Sequence, residues 1–169
     1  MKRQYMRGLI FFIMIFSLII FSGPESLFAA DTSAQKDMGG WGIQDPYNQF
    51  YSAEDVERMK VVVSEVKEVV PLEGMSPGVA LVFKDEDGED VVVHLCPVWY
   101  KKPGKIGIKK GDKIDLRGVY AEINGEEVIM AAKIKIKKKG KTFKVRLTSD
   151  GTPFWTMSPA QLQKELSDE

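Results

Sequence analysis

The chain has 169 residues, with 24 basic and 24 acidic side chains, one histidine and one cysteine. A single cysteine excludes an internal disulfide, so stability has to come from an apolar core. Formal neutrality hides a segregation: residues 45–96 carry 12 acidic and 4 basic side chains, whereas residues 101–146 carry 15 basic and 5 acidic ones. A closed barrel would either interleave the two halves or leave one basic face that attracts an anionic partner.

Residues 1–30 are expected to be a signal peptide. Lys2, Arg3 and Arg7 precede an apolar run over residues 9–21, broken only by Ser17 and followed by Gly23-Pro24. At 1.5 Å per residue the run reaches about 20 Å, short of the roughly 30 Å hydrocarbon core. That is the length of a signal-peptide apolar region rather than of a membrane span. Cleavage near Ala30 would leave a periplasmic or secreted protein. The alternative is an uncleaved segment anchoring it to the inner membrane, the only membrane contact expected. The remaining 139 residues suffice for one domain and carry a net charge of −2.

Residues 31–50 begin polar and glycine-containing and are expected to form a flexible linker, although 45–51 (DPYNQFY) could bring three aromatics over one end of the core. Ser52 can cap a single helical turn, with Asp55 at the capping-box position. The period then becomes two. Residues 61–70 (VVVSEVKEVV) predict a long first strand whose apolar face switches, implying a bulge or bend. Residues 79–83 and 91–96 predict a hairpin across the DEDGED turn, where Gly88 supplies the awkward backbone angle. That turn has neither the spacing nor the terminal glutamate of a calcium loop.

Residues 97–111 interrupt the pattern with two prolines and three glycines and leave room for one short helical turn. Residues 114–123 and 127–136 then predict a second hairpin over Asn124-Gly125, with Val128, Met130, Ala132, Ile134 and Ile136 on one face and Lys133 and Lys135 on the other. Residues 142–147 alternate Phe143, Val145 and Leu147 against Lys144 and Arg146. About six short strands with one long interruption predict an all-β fold, a small OB-like antiparallel barrel over residues 51–155. Residues 156–169 would add a short peripheral helix resting on Leu162 and Leu166, started by Ser158, Pro159 and Gln161, and an acidic tail.

The residues with most chemistry cluster in and just after the third strand. His94 and Cys96, two apart on a strand, would share a face and are weak candidate ligands for copper or zinc; the competing reading is a hydrogen-bonded histidine beside a half-buried thiol. Trp99 and Tyr100 followed by Lys101, Lys102 and Lys105 combine stacking surfaces with cations, suited to an anionic ligand, or else simply close the barrel end. Lysines 133–141 would blunt a strand edge, with an acidic protein, lipopolysaccharide or lipid headgroups as the alternative contact. No nucleophile–base grouping, phosphate loop or H-E-x-x-H is present, so no enzyme is expected.

In order, VHLCPVWY, KIGIKKGDKIDLRG, NGEEVIMAAKIKIKKKGKTFKVR and DGTPFW resemble the exported OB-fold-like domain shared by the magnetosome proteins MamS and MamX. The likeness covers about residues 51–155, and there is a broader one to periplasmic bacterial OB-fold proteins. The resemblance implies a small periplasmic β-barrel associated with redox or metal metabolism, without enzymatic activity of its own. Members usually have glycine where this chain has Cys96, and the haem-binding motifs of the MamX type are absent, so no cofactor is expected. The expected protein is an exported, non-catalytic binding or assembly module of the bacterial envelope. Its contact surface would be built from Trp99, Tyr100, Lys101, Lys102 and Lys105, with His94 at the base. The expected partner is an envelope protein such as a cytochrome, oxidoreductase or metalloprotein. The alternatives are a metal-binding accessory protein using His94 and Cys96, or a nucleic-acid- or polyanion-binding OB-fold protein, although nucleic acid is not the expected partner of an exported protein.

Overall fold

The computed structural model describes residues 37–167; the expected signal peptide, the linker up to residue 36 and the last two residues of the acidic tail lie outside them. No helix among the described residues is long and apolar enough to cross a membrane. Six strands form one mostly antiparallel sheet: β1 Glu57–Val69, β2 Gly78–Lys84, β3 Asp90–Pro97, β4 Lys113–Ile123, β5 Glu126–Ile136 and β6 Lys141–Lys144. The order is β3-β2-β1-β4-β5-β6, and a parallel pairing of β3 with β5 closes five of the strands into a ring. This is the OB-like all-β architecture, completed by a short C-terminal helix, α2 (Pro159–Ser167).

The long valine-rich β1 serves both halves of the ring. Its first half pairs with β4 and its second with β2. The change falls at Ser64, a bulge between the Val63–Phe83 and Glu65–Val82 pairs, where the Ser64 hydroxyl donates to the Val82 carbonyl at 2.9 Å. The switching apolar face of this strand is therefore a bulge, which bends the strand from one neighbour to the other. β4 and β5 meet over Asn124 (φ 55°) and Gly125 (φ 78°), the left-handed pair that a two-residue hairpin requires. Asp85 holds the β2–β3 turn by accepting from the Asp87 and Glu89 N–H groups at 3.0 and 2.8 Å.

β5 organises the far side. One of its edges is taken by β4; the other is shared, with β3 along Val128–Met130 and β6 along Lys133–Ile136. Between these stretches lies a second bulge: Arg117 pairs with Lys133 but Gly118 with Ala131, skipping Ala132. The Ala132 carbonyl accepts from both Val145 and Arg146 N–H, at 2.8 and 2.9 Å. That double bond breaks the expected alternation of residues 142–147. The strand ends at Lys144, and Arg146, expected to face solvent, is buried at 3% exposure.

The segment expected as a linker is packed from Trp41 onward. Trp41 and Tyr47 are completely or almost completely buried. The Trp41 ring fills the space beside Gly78, where a Cβ would sit 2.3 Å from it, and its Nε1 donates to the Ser76 carbonyl at 2.8 Å. Trp155 Nε1 in turn donates to the Trp41 carbonyl at 2.7 Å, so both flanks of the ring lock together. Two aromatic side chains outweigh the polar, glycine-rich character of their neighbours, because each buries a large apolar area. In α2 the Ser158–Gln161 capping box forms reciprocally. Leu162 is half-buried, but Leu166 is exposed rather than packed; Lys144 Nζ ties the helix to β6 through the Glu165 carbonyl.

Candidate functional site

The loop after β3 folds back on itself at Pro97, whose carbonyl accepts from the Tyr100 and Lys101 N–H groups at 3.0 and 3.1 Å. Pro103 then starts a single helical turn, α1 (Pro103–Ile106), stopped by Gly107 at φ 81°. Trp99 is 45% exposed. Tyr100 is half-buried with its ring 6.1 Å from that of Trp155, so burial raises its hydroxyl pKa.

From this loop Lys101 and Lys105 reach a cleft of about 370 Å³ whose opposite wall is Lys139 and Lys141, with Ile106 and Phe143 among its apolar residues. Lys101 Nζ lies 4.7 Å from the Phe143 ring centroid. The two lysine groups, separated by more than thirty residues in the sequence, thus form one surface. The cause is the shared edge of β5: β3 leaves it after Met130 and β6 joins at Lys133, which sets the loop from β3 beside β6. Lys139 is partly committed to the fold, donating to the Gly107 carbonyl at 2.6 Å and pairing with Asp112 at 3.1 Å. Burial pushes the Asp112 carboxyl pKa up, but the Lys139 hydrogen bond and the Lys109 N–H outweigh it and hold the group low. Lys102, at the N-cap of α1, is exposed and does not line this cleft.

His94 is not at the base of this surface. It is 5% exposed and lines a separate cleft of about 310 Å³ with Lys67, Val92, Glu126 and Val128, which shares no residue with the lysine cleft. Burial, and then the nearby Lys67 charge, lower its pKa to about 4, so the imidazole is neutral at physiological pH. Its ring centroid is 6.0 Å from that of Tyr47, and among the described residues its Nδ1 has no hydrogen-bond partner.

Nor do His94 and Cys96 share a face. His94 pairs with Ala80 and Cys96 with Val79, leaving Leu95 as the extra residue of a bulge. Adjacent residues of β2 point to opposite sides of the sheet, so their partners do too. Cys96 is fully buried and its thiol is pushed up to about 12 by that burial, which makes it a packing residue rather than a ready thiolate. Among the described residues no group of three or more histidine, cysteine or carboxylate side chains is placed to hold a metal ion.

Arg146, expected on a solvent face beside Lys144, is instead enclosed by aromatic rings. Its guanidinium lies 5.0, 5.2 and 5.9 Å from the ring centroids of Tyr51, Trp155 and Tyr47 and donates to the Gly151 carbonyl at 3.3 Å. Among the described residues it forms no ion pair. The signal in the sequence was the density of aromatics on both flanks of the ring.

No curated protein and no solved structure matches the chain. The family model for the MamS/MamX magnetosome protein family matches residues 55–143. That stretch runs from just before β1 into β6 and contains the whole ring and all the lysines of the cleft, while Trp41, Tyr47, Arg146 and Trp155 fall outside it. By this match over more than half its length the chain belongs to the MamS/MamX magnetosome protein family.

Proposed function

We propose that the protein is an exported, non-catalytic binding module of the bacterial envelope that holds an acidic partner in its lysine cleft. The observation that carries this reading is the convergence of Lys101, Lys105, Lys139 and Lys141 on an apolar floor with Phe143. Ammonium groups around an aromatic ring give an acidic protein surface both charge complementarity and an apolar anchor. Trp99, exposed on the same loop, extends the apolar contact. The family's name places relatives among magnetosome proteins, and the partner class in keeping with the resemblance is a cytochrome, oxidoreductase or metalloprotein of the envelope. The metal-binding alternative is weaker, because its two residues lie on opposite faces of the sheet.

The test is affinity capture of the tagged full chain from the envelope of its native host, with metal analysis of the eluate. The wild type should retain an acidic partner that is released by raised salt. Replacing Lys101, Lys105, Lys139 and Lys141 together by serine should abolish that capture. Recovery of the same partners by both proteins would place the contact elsewhere.

A further inference from the structure

We propose that the cleft beside His94 is a second binding site, independent of the lysine cleft, for a small monocarboxylate with an apolar body. The cleft is formed where the end of β1 meets β3 and the β4–β5 hairpin, and the hairpin is tied there by Asn124 Nδ2 donating to the Pro71 carbonyl at 3.1 Å. At about 310 Å³ it is of the size that holds a small organic molecule. Val92, Ile123 and Val128 supply apolar wall; Lys67, His94 and Glu126 supply the polar groups.

One of these polar groups is left unsatisfied by the fold, and another holds its charge without an ion pair among the described residues. Among the described residues Lys67 forms no ion pair, although it is half-buried. His94 is 95% removed from solvent, and among the described residues its Nδ1 has no hydrogen-bond partner. A buried polar atom without a partner costs stability, and such exceptions call for an explanation. With no hydrogen bond to Nδ1 among the described residues to fix its tautomer, the imidazole can present an N–H through its other nitrogen.

Together Lys67 and His94 offer one cation and one neutral donor, which suits a single carboxylate. Glu126, exposed and also without an ion pair among the described residues, repels a second negative charge. The valine and isoleucine wall then takes the apolar body. This selects a monocarboxylate over a dicarboxylate, and an acid over the corresponding alcohol.

Titration of the ¹⁵N-labelled full chain with hexanoate, hexanol and adipate tests the assignment, followed by amide chemical shifts. Hexanoate should give saturable shifts at Val92, His94 and Val128, with hexanol and adipate binding at least tenfold more weakly. Lys67→Gln, a half-buried position whose replacement leaves the core untouched, should weaken hexanoate by about tenfold. The fourfold lysine-to-serine variant of the other cleft should bind it unchanged, so this site can fail or succeed apart from that one. The proposal is overturned if the shifts never saturate, if hexanol matches hexanoate, or if Lys67→Gln has no effect.

Discussion

Lys101 and Arg146 each bring a cation to an aromatic ring, and they do opposite things with it. Lys101 lies 4.7 Å from the Phe143 ring at the surface of a cleft. Arg146 lies between 5.0 and 5.9 Å from three rings and is 3% exposed. Removing a charge from water is costly, and among the described residues no carboxylate offsets that cost for Arg146. A guanidinium tolerates the site because it is weakly hydrated, flat enough to lie against ring faces and able to donate to the Gly151 carbonyl. Burial lowers its pKa, yet arginine remains charged in proteins. Its contacts are used within the fold, where they join Tyr47 and Tyr51 on one flank of the ring to Trp155 on the other. On the proposed function, the surface lysines other than Lys139 keep their ammonium groups for a partner.

The most direct way to break this contrast is to remove each cation. Arg146→Ala leaves a cavity among Tyr47, Tyr51 and Trp155 and should destabilise the chain by about 3 kcal/mol, in the range of other deletions of large buried side chains. Lys101→Ala, losing one surface cation–π contact, should cost less than about 1 kcal/mol. Urea unfolding of both variants checks this through the midpoints at unchanged slope. Equal, small effects would mean that Arg146 is not the tie between the two flanks.

The same contrast explains what the sequence made legible. The ring was readable because its signals are local: the alternation over residues 114–123, the valine run of β1 and the Asn124-Gly125 turn each depend on near neighbours. The lysines of the cleft were visible as two separate groups, but their meeting depends on β3 and β6 sharing one edge of β5. The bulges at Leu95 and Ala132 had no such local signal, and each reverses the faces of the residues beyond it. That is why Cys96 left the face of His94 and Arg146 turned inward. Trp41 and Trp155 were equally hard to place, since each is buried by a partner far away in the chain.

His94 sharpens the comparison, because it is a buried base that gives up its charge where Arg146 keeps it. The unfolded imidazole titrates near 6.5 and the folded one at about 4. Between those values the unfolded chain binds a proton that the folded chain does not. Stability from this group is therefore complete above about pH 6.5 and is lost as the pH falls towards about 4, by at most about 1.4 kcal/mol per pH unit. Asp112 and Asp115, both held low in the fold, add losses of the same sign in more acidic solution. Unfolding free energies measured from neutral to mildly acidic pH should show this slope in the wild type and a flatter one in His94→Gln. Parallel slopes would show that the imidazole is not held neutral.

Lys139 tests the contrast at its boundary, because it belongs to the surface cleft and yet bonds within the fold. Its ammonium serves the Gly107 carbonyl and Asp112, so part of its charge is already answered before any partner arrives. Lys139→Met should lower stability by less than about 1 kcal/mol, as for other partly exposed ion pairs. The paired carboxylate provides a more specific readout. Asp112 stabilises the fold above its unfolded pKa and loses that contribution as pH falls through its depressed folded value. With Lys139 gone, only the Lys109 N–H and charge still hold it low, so the loss should begin at higher pH. Capture of an acidic partner should in turn suffer less from Lys139→Met than from Lys101→Met, whose ammonium has a ring beside it but, among the described residues, no paired carboxylate. If Lys139→Met is the more damaging, the Asp112 pair is not holding its charge back from the partner, and the division between structural and binding cations fails at this residue.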